Sequence, residues 1–330
     1  MAKVLITGGA GFLGYHLARA LVARGTRVDL VDNFTRAVRD PDLDELLRDA
    51  RVRLIELDLL QHDSLTALDR DYDVVFHLAA IIGVTHVLNR PYDVLVMNQA
   101  LLTNVVELCR SQRALQRMVF SSTSEVYAGT LAAFGMRIPT PEDTPLAVSA
   151  LTAPRTSYML SKIYGEAICH HSGLPFTIVR PHNVYGPRMG MAHVIPELLK
   201  RTYEDVDGGR LQVYSVNHKR TFCFVADAVD LLLKIIDADS CRGLTLNLGS
   251  CDREFSIAEV ARVVLDVVGR DLEIEEMPET AGSPARRAPD MSLARTLTGF
   301  ESRIELREGV GRTYDWYRAK VFEGHGVSAR

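Results

Sequence analysis

The sequence predicts an α/β protein, a doubly wound parallel sheet with a smaller C-terminal lobe, and three observations predict it. Short apolar runs alternate with helix-like segments from the N-terminus to about residue 180, the order of parallel strands joined by crossover helices. A glycine-rich turn, Thr7-Gly8-Gly9-Ala10-Gly11-Phe12-Leu13-Gly14, separates the first apolar run from the first amphipathic segment. Beyond Pro181 the alternation loosens into turn-rich stretches at Gly186-Pro187, Asp207-Gly208-Gly209 and Pro278 to Pro289, which mark the second lobe.

Lys3 to Thr7 reads as a buried strand, followed by a helix with Leu13, Leu17, Leu21 and Val22 on one side. The next strand runs from Arg27 to Val31 and ends at Asp32. Further strands are expected at 52–57, 73–78 and 116–121, with helices at 42–50, 62–69 and 92–112. A helix from about Ser157 carries Tyr158 and Lys162 one turn apart on a single face. Phe176–Arg180 and Leu244–Leu248 read as strands, 256–269 as a helix, and the last helix spans roughly Glu308 to Lys320. Residues 1–180, with contributions from about 221–269, are assigned to the first lobe, and 181–220 with 270–330 to the second.

At 330 residues, 47% hydrophobic and 24% charged, the chain is long enough for one large core in two interleaved lobes. A net charge of −4 leaves no basic footprint for nucleic acid. The longest apolar run, Val74 to Leu88, is broken by His77 and His86 and is too short to span a bilayer. Five scattered cysteines without a CxxC pair predict reduced thiols and no metal site. Met1-Ala2-Lys3 runs straight into a strand, so a cytoplasmic protein without a signal peptide is expected.

Gly8, Gly11 and Gly14, with Phe12 and Leu13 entering the helix, form a cradle for a dinucleotide pyrophosphate at the positive end of a helix dipole. Asp32, at the end of the second strand and followed by Asn33, suits the ribose hydroxyls of NAD and would repel the extra phosphate of NADP. Arg36 reads as a solvated loop arginine. Asp58-Leu59 closes the third strand, where Asp58 either meets the adenine amino group or caps a turn. Leu78-Ala79-Ala80 ends the fourth strand with small residues that let a nucleotide lie close, and His77 reads as a core histidine. A Rossmann-type lobe binding NAD follows. Thr123, Tyr158 and Lys162 can move a proton off a hydroxyl while a nicotinamide takes the hydride, and Glu125, after Ser124, adds a second base.

Taken in order, TGGAGFLG at 7–14, HLAA at 77–80, Asn98, STSEVY at 122–127, YMLSK at 158–162, RPHNVYGPR at 180–188, Arg220 and Arg287 with Asp290 resemble the extended short-chain dehydrogenase/reductases. Within that superfamily they resemble the NAD-dependent nucleotide-sugar epimerases and dehydratases. The resemblance implies that Tyr158 is the base toward the hydroxyl on sugar carbon 4, that Lys162 lowers the Tyr158 pKa and bonds the nicotinamide ribose, and that Thr123 holds the same hydroxyl. It implies Asn98 on the cofactor, Asn183 on substrate phosphate or sugar, Arg220 and Arg287 as diphosphate clamps, and Asp290 on the nucleotide ribose. It also implies a nucleotide-diphosphate sugar as substrate and a homodimer through helices near 98–112 and 157–171. Two departures stand out: Arg220-Thr221-Phe222-Cys223 lacks the acidic residue usual beside the arginine, and 128–156 is an insertion expected to form a lid.

Glu125 narrows the reaction without choosing it. Plain 4-epimerases of the resembled family mostly carry a small or hydroxyl residue there, and sugar 4,6-dehydratases carry Asp-Glu. Ser124-Glu125 resembles UDP-glucuronate decarboxylases and is shared by GDP-mannose 4,6-dehydratases. Gly186-Pro187-Arg188-Met189 also resembles the decarboxylases, with Arg188 expected on a carboxylate at carbon 6 unless it only caps a loop. Three outcomes stay open: oxidation at carbon 4 followed by loss of carbon dioxide or water, epimerisation with Glu125 structural, or a non-catalytic binding protein.

Overall fold

A computed structural model describes residues 2–148, 150–204, 209–280 and 282–324. The Asp207-Gly208 part of one expected turn lies outside them. Strands β1 (Lys3–Thr7), β2 (Arg27–Asp32), β3 (Val52–Glu56), β4 (Val74–His77), β5 (Arg117–Ser121) and β6 (Phe176–Pro181) join the Thr245–Leu248 strand in one seven-stranded sheet. Its order is Thr245–Leu248, β6, β5, β4, β1, β2, β3, and every pairing is parallel.

Period-two alternation divides the core. Val4 and Ile6 of β1 face one layer, packed with Leu17 and Leu21 of the Phe12–Ala23 helix and Val229 of the Val225–Asp237 helix. Leu5 faces the other, with Leu101 and Val105 of the Pro91–Arg110 helix and Cys169 of the Pro154–His171 helix. Burial on both faces explains the near-continuous apolar strands. The chain winds outward from β1 to β3, then crosses back to β4, so the order reverses between β1 and β4. That reversal opens a crevice at the carboxyl ends of the strands, where open parallel sheets bind ligands.

The chain beyond Pro181 is more regular than its sequence suggested. The Val194–Glu204 helix and a parallel pair, Arg210–Tyr214 with Glu273–Met277, fill the stretch that read as loosened. The expected segment 62–69 is a 3-10 helix over His62–Ala67. The insertion at 128–156 is a strap rather than a free lid. Thr140 N donates to Ala288 O at 2.9 Å, and Asp290 N donates to Thr140 O at 2.9 Å. The strap thereby backs the Arg287–Asp290 segment. Among the described residues no helix is long and apolar enough to cross a membrane.

Candidate active site

The crevice has the shape a dinucleotide needs. Gly8 holds φ +69°, and a Cβ there would lie 2.9 Å from Ala79 N; at Gly14 it would lie 2.4 Å from Gly8 O. The backbone of the glycine turn is thus drawn against the Leu78-Ala79 edge with no room for side chains. Asp32 accepts from Ala10 N at 3.1 Å and Phe34 N at 3.0 Å, which aims its carboxylate across the turn; burial raises its pKa, against those backbone bonds. Phe12 and Leu13 begin the helix, Asn33 caps Thr35 N at 3.1 Å, and Ala80 continues the β4 edge. These residues fit NAD.

Other cofactor-side residues have different engagements. Asp58 accepts from Leu60 N at 3.0 Å, the turn-capping option, beside buried Leu59. Asn98, expected on the cofactor, closes both its amide groups on Ile81, at 2.7 and 3.0 Å, and also reaches Ser161 at 3.3 Å. These bonds tie the Pro91–Arg110 helix to the residue that follows Ala80 and to the Pro154–His171 helix. His77 is a core residue bonded to Thr7 Oγ1 at 2.8 Å, its pKa pushed down to about 3 by burial.

The reacting groups converge where β5 ends. Thr123 caps the short turn Ser124–Tyr127, accepting from Glu125 N at 3.2 Å, and also hydrogen-bonds the Tyr158 hydroxyl. Burial, helped by the charge of Glu125, pushes the Tyr158 pKa far up, while Thr123 and Arg36 pull it down. Lys162, 5% exposed, donates to Ser121 O at 2.8 Å and lies 5.9 Å from the Tyr158 ring; burial lowers its pKa to about 8. Arg36 adds a second cation on the tyrosine, beside the Lys162 ammonium on the same helix. Arg36 is also no remote loop residue. Its guanidinium lies 3.7 Å from where a Cβ on Gly83 would stand.

Glu125 forms an ion pair with Arg287. Burial favours the neutral acid, but Arg287, then Arg155 and Arg220, hold the carboxylate pKa below its usual range. Arg287 Nη2 also donates to Asn183 Oδ1 at 3.2 Å, and its buried Nε has no partner. Asn183 adopts φ +42° and donates to Thr221 O at 3.0 Å. Arg155, Asn183, Arg220 and Arg287 line one cavity of about 450 Å³ that runs toward Glu197, Gln212 and Tyr214. Ser124 is buried behind Glu125.

Among the expected substrate residues Arg188 needs correction, and Arg220 and Asp290 carry further bonds of their own. Arg220 lines the cavity, its fork held in place by Lys219 O at 2.8 Å, Ser283 Oγ at 3.1 Å and Pro284 O. Burial and the Arg287 charge lower its pKa to about 10. Asp290 caps Ser292 N at 2.9 Å and pairs with Arg137 at 3.3 Å, behind the cavity. Arg188, expected on a substrate carboxylate, is bonded to Asp40 at 2.7 Å with both side chains about 5% exposed, and lies 4.1 Å over Tyr15. Breaking a buried pair from one side strands a charge, so Arg188→Met is expected to lower unfolding free energy by roughly 3 kcal/mol and leave the substrate KM unchanged. Urea denaturation and steady-state kinetics check both halves. Arg155 was missed, although its place three residues before Tyr158 puts it on the same helix face.

This constellation, a glycine cradle, a Thr-Tyr-Lys set and a cationic cavity on a switch-point crevice, is that of an NAD-dependent sugar-modifying enzyme. The profile of the NAD dependent epimerase/dehydratase family matches residues 4–249, and the chain belongs to that family. It is 33% identical to UDP-N-acetyl-alpha-D-glucosaminuronate decarboxylase of Bacillus cytotoxicus, over 96% of this chain and 98% of that protein. It is 30% identical to UDP-glucuronic acid decarboxylase 1 of Xenopus tropicalis, over 97% and 73% of the two chains. Among solved structures it resembles the Bacillus cereus UDP-glucuronic acid 4-epimerase in complex with a fluorinated UDP-glucuronic acid and NAD, with TM-score 0.84, 26% identity and coverage of 96% and 99%.

Proposed function

We propose that the chain decarboxylates a nucleotide-linked uronic acid, oxidising and later re-reducing carbon 4. One observation carries this reading: Glu125 faces Arg287, and Arg155 and Arg220 stand close enough to lower its pKa as well. Three guanidinium groups around one carboxylate leave a positive excess, which suits a diphosphate together with a sugar carboxylate. NAD, when bound, takes and returns the hydride at carbon 4. Tyr158 accepts the hydroxyl proton, with Thr123 holding the oxygen and Lys162 supplying positive charge. The ketone at carbon 4 then drains the electron pair of the breaking bond to the carboxylate carbon, so carbon dioxide leaves an enolate. One solvent proton is consumed at carbon 5, relayed by Glu125. The seven-stranded layer serves as the NAD lobe and the segments around Arg220 and Arg287 as the substrate lobe.

A UDP-glucuronate 4-epimerase is the second reading, favoured by the structural likeness to an enzyme of that activity. Incubation with UDP-, GDP-, CDP- and dTDP-linked uronic and neutral sugars, read by mass spectrometry, separates the outcomes. Loss of carbon dioxide from a uronic acid supports decarboxylation. Unchanged mass with an inverted carbon 4 by NMR, or loss of water, overturns it.

The functional form is proposed to be a homodimer in the cytoplasm. Tyr92 and Leu151 are 75% and 76% exposed, and Leu88, Val96 and Tyr164 are exposed as well, spread over three helices and the turn that carries Leu151. A groove of about 340 Å³ between Tyr92, Leu95, Leu151 and Leu160 adds a second apolar feature, and patches of this kind are rare on monomers. Light scattering is expected to give twice the chain mass, and the monomer mass for the Tyr92→Arg, Leu151→Arg double variant. All five cysteines are free, in keeping with a reducing compartment.

A further inference from the structure

A buried polar network behind the catalytic turn takes no part in the chemistry proposed above. Glu166, two turns beyond Tyr158 on the same helix, grips Arg180 of β6 at 2.9 and 2.6 Å, with both side chains buried. Ser122, the residue before Thr123, donates to Glu166 at 2.5 Å. At the other end of the turn, the Tyr127 hydroxyl accepts from Arg180 at 2.7 Å and donates to Asn247 Oδ1 at 3.1 Å. Asn247 Nδ2 in turn donates to Thr140 O at 2.9 Å and Asp290 O at 3.0 Å.

The topology of these bonds matters more than their number. Ser122 and Tyr127 bracket Thr123, Ser124 and Glu125, and both ends are tied to one ion pair. Asp290 O and the strap at Thr140 hold the segment that carries Arg287, and they are tied to the same tyrosine through Asn247. Tyr158 and Lys162 ride on the helix that supplies Glu166. Tyr127 is the link that runs through the catalytic turn itself, its hydroxyl using its donor and an acceptor to make it, while Glu142 joins the two halves from the strap side, accepting from Arg180 at 3.0 Å and from Asn247 N at 2.8 Å.

We propose that Tyr127 is a positioning residue, whose hydroxyl sets Glu125 and Arg287 against each other and against Tyr158. The proposal rests on the catalytic roles assigned above and does not depend on whether carbon dioxide is lost. Tyr127→Phe is a mild probe. Without the hydroxyl, Arg180 keeps Glu166 and its 3.0 Å bond to Glu142 O, and Asn247 Oδ1 keeps the 3.1 Å bond from His182 Nε2. No charge is left unpaired.

The test compares Tyr127→Phe with the parent holoenzyme on UDP-glucuronate, following product formation and bound NADH. Loosened alignment of reacting groups lowers turnover steeply, so kcat is expected to fall roughly tenfold with KM unchanged and a larger fraction of bound NADH during turnover. Asn247→Ser, which removes the amide holding Thr140 and Asp290, is expected to show the same pattern. Unchanged kcat with only a lowered melting temperature would overturn the proposal, as would a KM rise at constant kcat or a failure of both variants to fold. A parent enzyme that yields only the epimer would refute the decarboxylase reading while leaving this comparison intact, with the epimer as the product followed.

Discussion

Glu125→Gln is expected to cut product formation by ~10²–10⁴-fold, the usual contribution of a positioned acid or base, while bound NAD is still reduced on mixing with substrate. The two halves of that result come from different parts of the site. Oxidation at carbon 4 uses Thr123, Tyr158 and Lys162, and the substitution leaves those side chains in place while removing a charge that raises the Tyr158 pKa. Glutamine keeps an oxygen that can accept from Arg287, so the pairing geometry is preserved and the lost property is the ionised carboxylate. Arg287, Arg155 and Arg220 hold that carboxylate below its usual pKa against the burial that opposes them, so Glu125 rests as the carboxylate and takes up the solvent proton only as it passes it to carbon 5. Stopped-flow absorbance for NADH and mass spectrometry of the quenched mixture check the prediction. Full turnover in the variant would remove Glu125 from the reaction and return the epimerase reading to first place.

The legible part of this protein was what local periodicity and spacing control. The strands at 3–7, 116–121 and 176–180 are buried on both faces, so their apolar runs stand out, and the glycine turn is forced by contacts such as Gly8 against Ala79. The interval from Tyr158 to Lys162 could be placed on one helix face before any fold was known. Residues whose role depends on distant partners were not legible. Arg188 looked free to bind a carboxylate, but Asp40 lies 148 positions away in the chain and claims it. Arg36 is an exposed loop residue, as it read, but nothing local shows that the loop after β2 carries it toward Gly83 and Tyr158. Beyond Pro181 the Arg210–Tyr214 and Glu273–Met277 strands pair residues 63 positions apart in the chain, and their half-exposed pattern carries little apolar signal on its own.

Lys162→Met is expected to move activity and stability in opposite directions. Burial lowers the lysine pKa from 10.5 to about 8, so the folded chain binds fewer protons than the unfolded chain between those two values. Stability therefore rises with pH across that window, and at neutral pH the buried ammonium is a cost to the fold rather than a support. Its bond to Ser121 O at 2.8 Å offsets part of that cost. A methionine of similar length removes the charge and fills the space against Phe120, whose ring centroid is 4.9 Å from the lysine Nζ. Cofactor-free Lys162→Met is thus expected to be more stable at neutral pH by roughly 1–3 kcal/mol, from the size of the pKa displacement, with the difference closing above pH 10. Turnover should fall by ~10²-fold or more, because a fixed charge at a developing oxyanion is worth that much. Denaturant melts at pH 7 and pH 10.5, paired with activity at pH 7, read both effects. A variant that lost stability at pH 7 would show that the lysine is held for the fold, whereas gained stability with lost turnover identifies a charge kept at the expense of stability for catalysis.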